Sequence, residues 1–109
     1  MSEDRIDRAE AYHRVSDVLA CKWMIAVLDA IGRGVARPSD IQRELPGLSG
    51  KVLNDRLKRL EGFGTLHREA FAEVPPRVEY HLSARGEQLA RIVGEVSAFV
   101  DDWSGSDRA

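Results

Sequence analysis

From Leu48 to Leu66 the chain reads LSGKVLNDRLKRLEGFGTL, with apolar residues recurring at the spacing of one helix face. At about 100° per residue, Leu53, Leu57 and Leu60 fall within about 60° of one another and form a core stripe. Lys51, Asn54, Asp55 and Lys58 fall on the opposite side. Arg56 and Arg59 flank the stripe, where long stems can pack while charged heads reach outward. Ser49 has the chemistry of an N-cap, and Gly62 and Gly64 supply the stop. The spacing therefore predicts a helix over residues 49–62.

Three further helices precede it. Residues 4–20 carry a thin apolar face of Ile6, Ala9, His13, Ser16 and Leu19, too weak to hold a helix without packing on something else. Residues 21–32, CKWMIAVLDAIG, are apolar nearly all round, with Trp23, Val27, Ala30 and Ile31 joined by Met24 and Leu28, which predicts a buried helix. Residues 38–45, PSDIQREL, form a short helix opened by proline, with Ile41 and Leu45 facing inward. Pro46-Gly47 then break the chain, and the helix at Ser49 follows at once. Two helices joined by so tight a turn are the signature of a helix-turn-helix.

After Gly64 the period changes from helical to alternating. Residues 65–71 and 77–82 predict two strands, with Leu66, Val78, Tyr80 and Leu82 inward and AEVPP as the loop tip. A hairpin in this place makes the whole a winged helix-turn-helix, mainly α with a small β-hairpin wing, over a single domain of residues 1–109. Ser83 caps a last helix over residues 83–103. Leu89, Ile92, Val96, Phe99 and Trp103 recur there at spacings of three, four, three and four, widened by Val93 and Val100. The domain already has its core elements by then, so this heptad-like seam is expected to pair with a second copy, giving a homodimer joined through terminal helices. The tail 104–109, SGSDRA, is expected to be disordered.

Charge changes the picture more by its distribution than by its sum of −2. From Gly32 to Arg68 eight basic residues face four acids, a net of +4, while acids gather at both ends of the chain. A basic middle between acidic ends suits a protein that meets phosphate with one surface. No apolar run approaches the roughly 20 residues of a membrane span, and the charged N-terminus has no signal-peptide core. A single cysteine allows no internal disulfide framework, so a cytoplasmic protein is expected. Gly-rich phosphate loops, nucleophile elbows and paired catalytic carboxylates are all missing from the sequence, so an enzyme is not expected.

Lys22-Trp23, LPGLSGKVLNDRLKRLEGFG at 45–64 and EVPPRVEYHLSARGEQL at 73–89, in that order, resemble the HxlR-type winged-helix transcription regulators, relatives of the MarR group. The resemblance covers roughly residues 15–95 and implies DNA-binding homodimers that act on inverted-repeat operators. The helix over 49–62 would then read the major groove and the wing over 72–77 the flank. The sequence departs from the family at two places. The Cys-Pro that many members use to sense electrophiles is replaced by Glu10-Ala11, and the Gly-Gly before Lys-Trp is Ala20-Cys21. The usual redox trigger is therefore missing.

On these readings the expected DNA-contact residues are Ser39, Ser49, Gly50, Lys51, Asn54, Asp55, Lys58, Arg59 and Arg77. Asn54 could pair with adenine, and the lysines could donate to guanine or phosphate. Ser49 and the Gly50 amide stand at a helix N-terminus suited to phosphate. Asp55 could accept from cytosine or act as a spacer paired with Lys51 or Arg59, and Arg77 could enter the minor groove or remain a solvated hairpin arginine. Cys21 has a packing reading beside Trp23 and a sensing reading near a helix N-terminus. His67 and His81 could face each other across the hairpin, but without a nearby carboxylate or thiol cluster they make a weak metal site, and no metal or other cofactor is assigned. Two alternatives stay open: a winged helix that holds a partner protein, and the same regulator gated by a small-molecule effector or a redox signal.

Overall fold

In the computed structural model, which describes residues 6–107, seven elements follow one another: α1 (Arg8–Ala20), α2 (Met24–Gly32), α3 (Pro38–Glu44), α4 (Gly50–Gly62), β1 (Leu66–Phe71), β2 (Arg77–Leu82) and α5 (Ala84–Asp107). The mainly α winged helix-turn-helix expected from the sequence is therefore present. The central member is α2. Its Met24, Val27, Leu28 and Ile31 are buried against Ile41, Leu48, Leu53, Leu57, Leu60, Leu66, Tyr80 and Val93. Every other element thus places at least one side chain on or beside it, Val18 and Leu19 doing so for α1. Burying one such aliphatic side chain stabilises the fold by roughly 1.5–3 kcal/mol.

The first helix starts later than its sequence pattern suggests. Asp7 caps it, its carboxylate accepting from the Glu10 N–H at 2.8 Å, so Ile6 and Asp7 lie outside the helix. Residues 4–5 lie outside the described range. The second helix likewise begins at Met24 and not at residue 21. The reason is Trp23, a non-glycine residue at φ 74°, which is left-handed backbone and incompatible with a continuous helix. The reversal packs the Trp23 ring beside Gly47, where a Cβ would stand 3.7 Å from it. Cys21 consequently terminates α1, its N–H donating to the Val18 carbonyl at 3.3 Å, and does not open α2.

β1 and β2 form an antiparallel hairpin in which Leu66 pairs with Leu82, His67 with His81, Arg68 with Tyr80, Glu69 with Glu79, Ala70 with Val78 and Phe71 with Arg77. The Tyr80 N–H donates outside the hairpin to the Ala36 carbonyl at 2.8 Å, so the segment between α2 and α3 ties the wing to the helices. Ser83 joins wing to α5. Its hydroxyl donates to the Gly64 carbonyl at 2.7 Å and accepts from the Gly86 N–H at 3.0 Å. Gly86 rests so closely on the Thr65 carbonyl that a Cβ would stand 2.0 Å from that oxygen. This contact explains the L-S-x-x-G spacing at residues 82–86.

The last helix continues beyond Trp103. Residues 104–107 extend it where a disordered tail was expected, while 108–109 lie outside the described residues. Neither Ser104 nor Gly105 is a strict stop, and the Ser104 hydroxyl donates to the Asp101 carbonyl at 3.2 Å inside the turn. A helix of 24 residues spans about 36 Å. The radius of gyration, 15.4 Å, exceeds the roughly 13 Å of a compact chain of this length, because the terminal helices project from the core.

Candidate nucleic-acid interface

Ser49 opens α4 as an N-cap, its hydroxyl accepting from the Val52 N–H at 3.1 Å. Leu53, Leu57 and Leu60 are buried, which fixes the rotation of the helix about its axis. Lys51, Asn54 and Lys58 are exposed as a consequence. Among the described residues neither lysine makes an ion pair, and Asn54 makes no side-chain hydrogen bond. The Val52 N–H is taken by the Ser49 hydroxyl, and the Gly50 and Lys51 N–H groups open along the axis at the N-terminus of α4 with no intrahelical acceptor. One face thus offers two uncommitted cations, one bidentate amide and the positive end of a helix dipole.

The flanking residues are occupied differently. Asp55 accepts from Arg56 and, at 3.1 Å, from Arg59. Its carboxylate is paired within the helix, the arrangement of the spacer reading. Arg56 does not send its head outward as expected. Its Nε donates to the Lys22 carbonyl at 2.7 Å, and its side chain is 19% exposed. Arg59 turns toward the end of α1, with Nη1 3.8 Å from the Cys21 sulfur. The Cys21 thiol donates to the Asp17 carbonyl at 3.3 Å and is half-buried against the core. Helix α4 is therefore bolted to the α1–α2 turn along one side.

The wing also departs from expectation. Arg77 does not extend from the tip. It stacks over the Phe71 ring at 3.9 Å and pairs with Glu73 at 2.8 Å and Glu79 at 3.5 Å. A guanidinium so engaged is held against the hairpin and not aimed at a groove. The tip itself presents Glu73, fully exposed Val74 and two prolines. On the inner strand Arg68 is exposed and, among the described residues, free of ion pairs. Ser39 is exposed in the first turn of α3, beside the wing loop and Arg37. Arg56 had no sequence signal distinguishing it from an exposed arginine, since its acceptor lies 34 residues away.

The seam residues of α5 divide by depth. Leu89 and Val93 pack on the core, whereas Ile92, Val96, Phe99, Val100 and Trp103 are exposed, Phe99 by 66% and Trp103 by 62%. Phe99 and Trp103 stack with ring centroids 6.4 Å apart. Tyr12 and Val15 of α1 are exposed too, and Val15 lies beside Leu89 and Ile92, so the apolar face is continuous across both terminal helices.

The profile of the HxlR-like helix-turn-helix family matches residues 18–108. The chain belongs to that family. Its relatives include the HTH-type transcriptional regulator YvaP of Bacillus subtilis, 38% identical over 92 residues that span 84% of this chain and 85% of that one. Some curated relatives are longer, with the match spanning 66% or 62% of their own length. A solved MarR-family transcriptional regulator from Porphyromonas gingivalis superposes with TM-score 0.76 at 34% identity, over 89% of this chain and 95% of that one. The redox regulator HypR in its oxidized form superposes with TM-score 0.77 at 29% identity, over 84% and 95% of the two chains. The coarse function follows from family and fold together: a transcriptional regulator built on a DNA-binding helix-turn-helix. Among the described residues no helix is long and apolar enough to cross a membrane.

Proposed function

We propose that this HxlR-like chain is a sequence-specific regulator that binds an inverted-repeat operator as a homodimer. The observation that carries the reading is the contrast along α4. Cations turned toward the core side are held by Asp55 and the Lys22 carbonyl, while Lys51 and Lys58, flanking Asn54 on the outer face, make no ion pair or side-chain hydrogen bond among the described residues. A helix used as scaffold needs no such division. In the major groove Asn54 pairs with adenine, and the lysines reach guanine or phosphate. Ser49 and the Gly50 N–H engage the backbone at the helix N-terminus. Arg59 and Asp55 hold the helix in place, Ser39 and Arg68 lie on the flank, and Arg77 shapes the wing.

The second copy docks on the apolar face of α1 and α5. Five exposed apolar side chains on α5 are more than scattered surface residues explain. Completing their burial would contribute roughly 1 kcal/mol each, since all five are already partly covered in the single chain. Two α4 helices then meet successive major grooves about 34 Å apart. The partner-protein reading has no comparable support, because a protein-docking α4 would show apolar anchors on its outer face and this one shows only polar groups.

Selection of bound sequences from a random DNA pool tests the assignment. The expected product is a twofold-symmetric motif with half-sites about one helical turn apart. Failure to enrich any motif at low salt would overturn it.

A further inference from the structure

The outer face of the hairpin carries four metal-ligating side chains in a square. His67 and Glu69 are two apart on β1, Glu79 and His81 two apart on β2, and the register sets His67 across from His81 and Glu69 across from Glu79. Strand geometry turns all four to one side. His81 Nε2 lies 3.0 Å from Glu79 Oε1 and 3.6 Å from Glu69 Oε1, and the three ligand atoms fall within 4.8 Å of one another. Tetrahedral zinc with bonds near 2.05 Å holds its ligands about 3.3 Å apart. The observed separations bracket that value.

We propose that this face of the wing is a binding site for a divalent transition cation of the zinc class. His81 Nε2, Glu69 Oε1 and Glu79 Oε1 are its ligands, and His67, across from His81 but outside that group of three, becomes the fourth only by turning its ring toward them. The Glu79 carboxylate is oriented for the role from behind. Its Oε2 faces Arg77 at 3.5 Å and Arg37 at 3.7 Å, while Oε1 points into the site, the arrangement by which an outer shell fixes a ligating carboxylate. Glu69 stands across from Glu79 on the adjacent strand, and a cation between them would add to the compensation that Arg77 and Arg37 already give Glu79. Imidazole in the set favours zinc-class ions over magnesium or calcium. Cys21 belongs to the other end of the fold and takes no part.

Calorimetric titration of zinc chloride into the untagged, full-length, metal-free protein tests the site. One zinc per chain is expected, with affinity lowered at least ~10-fold in His81→Ala and in Glu69→Gln and unchanged in Cys21→Ser. Both altered residues are exposed, so circular dichroism of the variants should match the parent. Magnesium chloride should give no binding heat. Absence of stoichiometric zinc binding, or equal affinity in His81→Ala, overturns the proposal. Unchanged affinity in His67→Ala removes that residue from the ligand set.

Discussion

Arg56 on α4 donates from Nε to the backbone carbonyl of Lys22 at 2.7 Å, linking the presented helix to the turn between α1 and α2. A guanidinium bond to a carbonyl contributes about 1.5 kcal/mol when, as here, it lies at the surface. Arg56→Ala is expected to lower stability by that amount and to weaken DNA binding without touching the presented face, because α4 loses its lateral anchor. Scanning calorimetry with a binding isotherm checks both. An unchanged melting temperature would show the bond to be incidental.

Gly86 has the closest approach of the glycines, since any side chain there meets the Thr65 carbonyl. Gly86→Ala should cost about 3 kcal/mol or more, as the wing and α5 must separate to admit the methyl group. Ser83→Ala removes a cap and should cost about 1 kcal/mol. Chemical denaturation of the two variants should rank them in that order.

Much of this arrangement was legible from the sequence where local chemistry decided it. Leu53, Leu57 and Leu60 set the face of α4, Ser49 its start, and the Pro-Pro loop the wing. What the sequence did not reveal depended on distant partners. Trp23 leaves the helix because its ring packs beside Gly47, 24 residues later. Arg77 looked available until strand register placed the Phe71 ring beneath it, with Glu79 two residues along its own strand completing the engagement. The same register brought Glu69 and Glu79 to the His67–His81 pair. The signal was present as His-x-Glu and Glu-x-His at residues 67–69 and 79–81, in opposite order on two strands expected to pair antiparallel.

The salt dependence of DNA binding separates free cations from occupied ones. Each phosphate contact contributes about 0.9 to the slope of log affinity against log salt for each half of the dimer. Lys58→Ala should flatten the slope. Arg77→Ala should leave it nearly unchanged while lowering the melting temperature, because its charge already faces Glu73 and Glu79. A slope that falls equally for Arg77 would place that arginine on phosphate.

Charge on the exposed α5 face should separate the copies. Val96→Glu combined with Phe99→Glu is expected to give monomers in sedimentation at concentrations where the parent sediments as a dimer. Both side chains are exposed in the single chain, so its helical circular dichroism should persist. A dimer that survives the double change would move the interface to another surface.

The central claim is that Lys51 and Asn54 read sequence. The direct measurement is the affinity of the Lys51→Ala/Asn54→Ala protein for the selected operator and for a scrambled duplex, at equal salt. The preference for the operator should collapse toward unity, since each good base contact is worth about 1–3 kcal/mol of discrimination. Weak binding to both duplexes should remain through the phosphate contacts. An operator preference equal to that of the parent would contradict the claim.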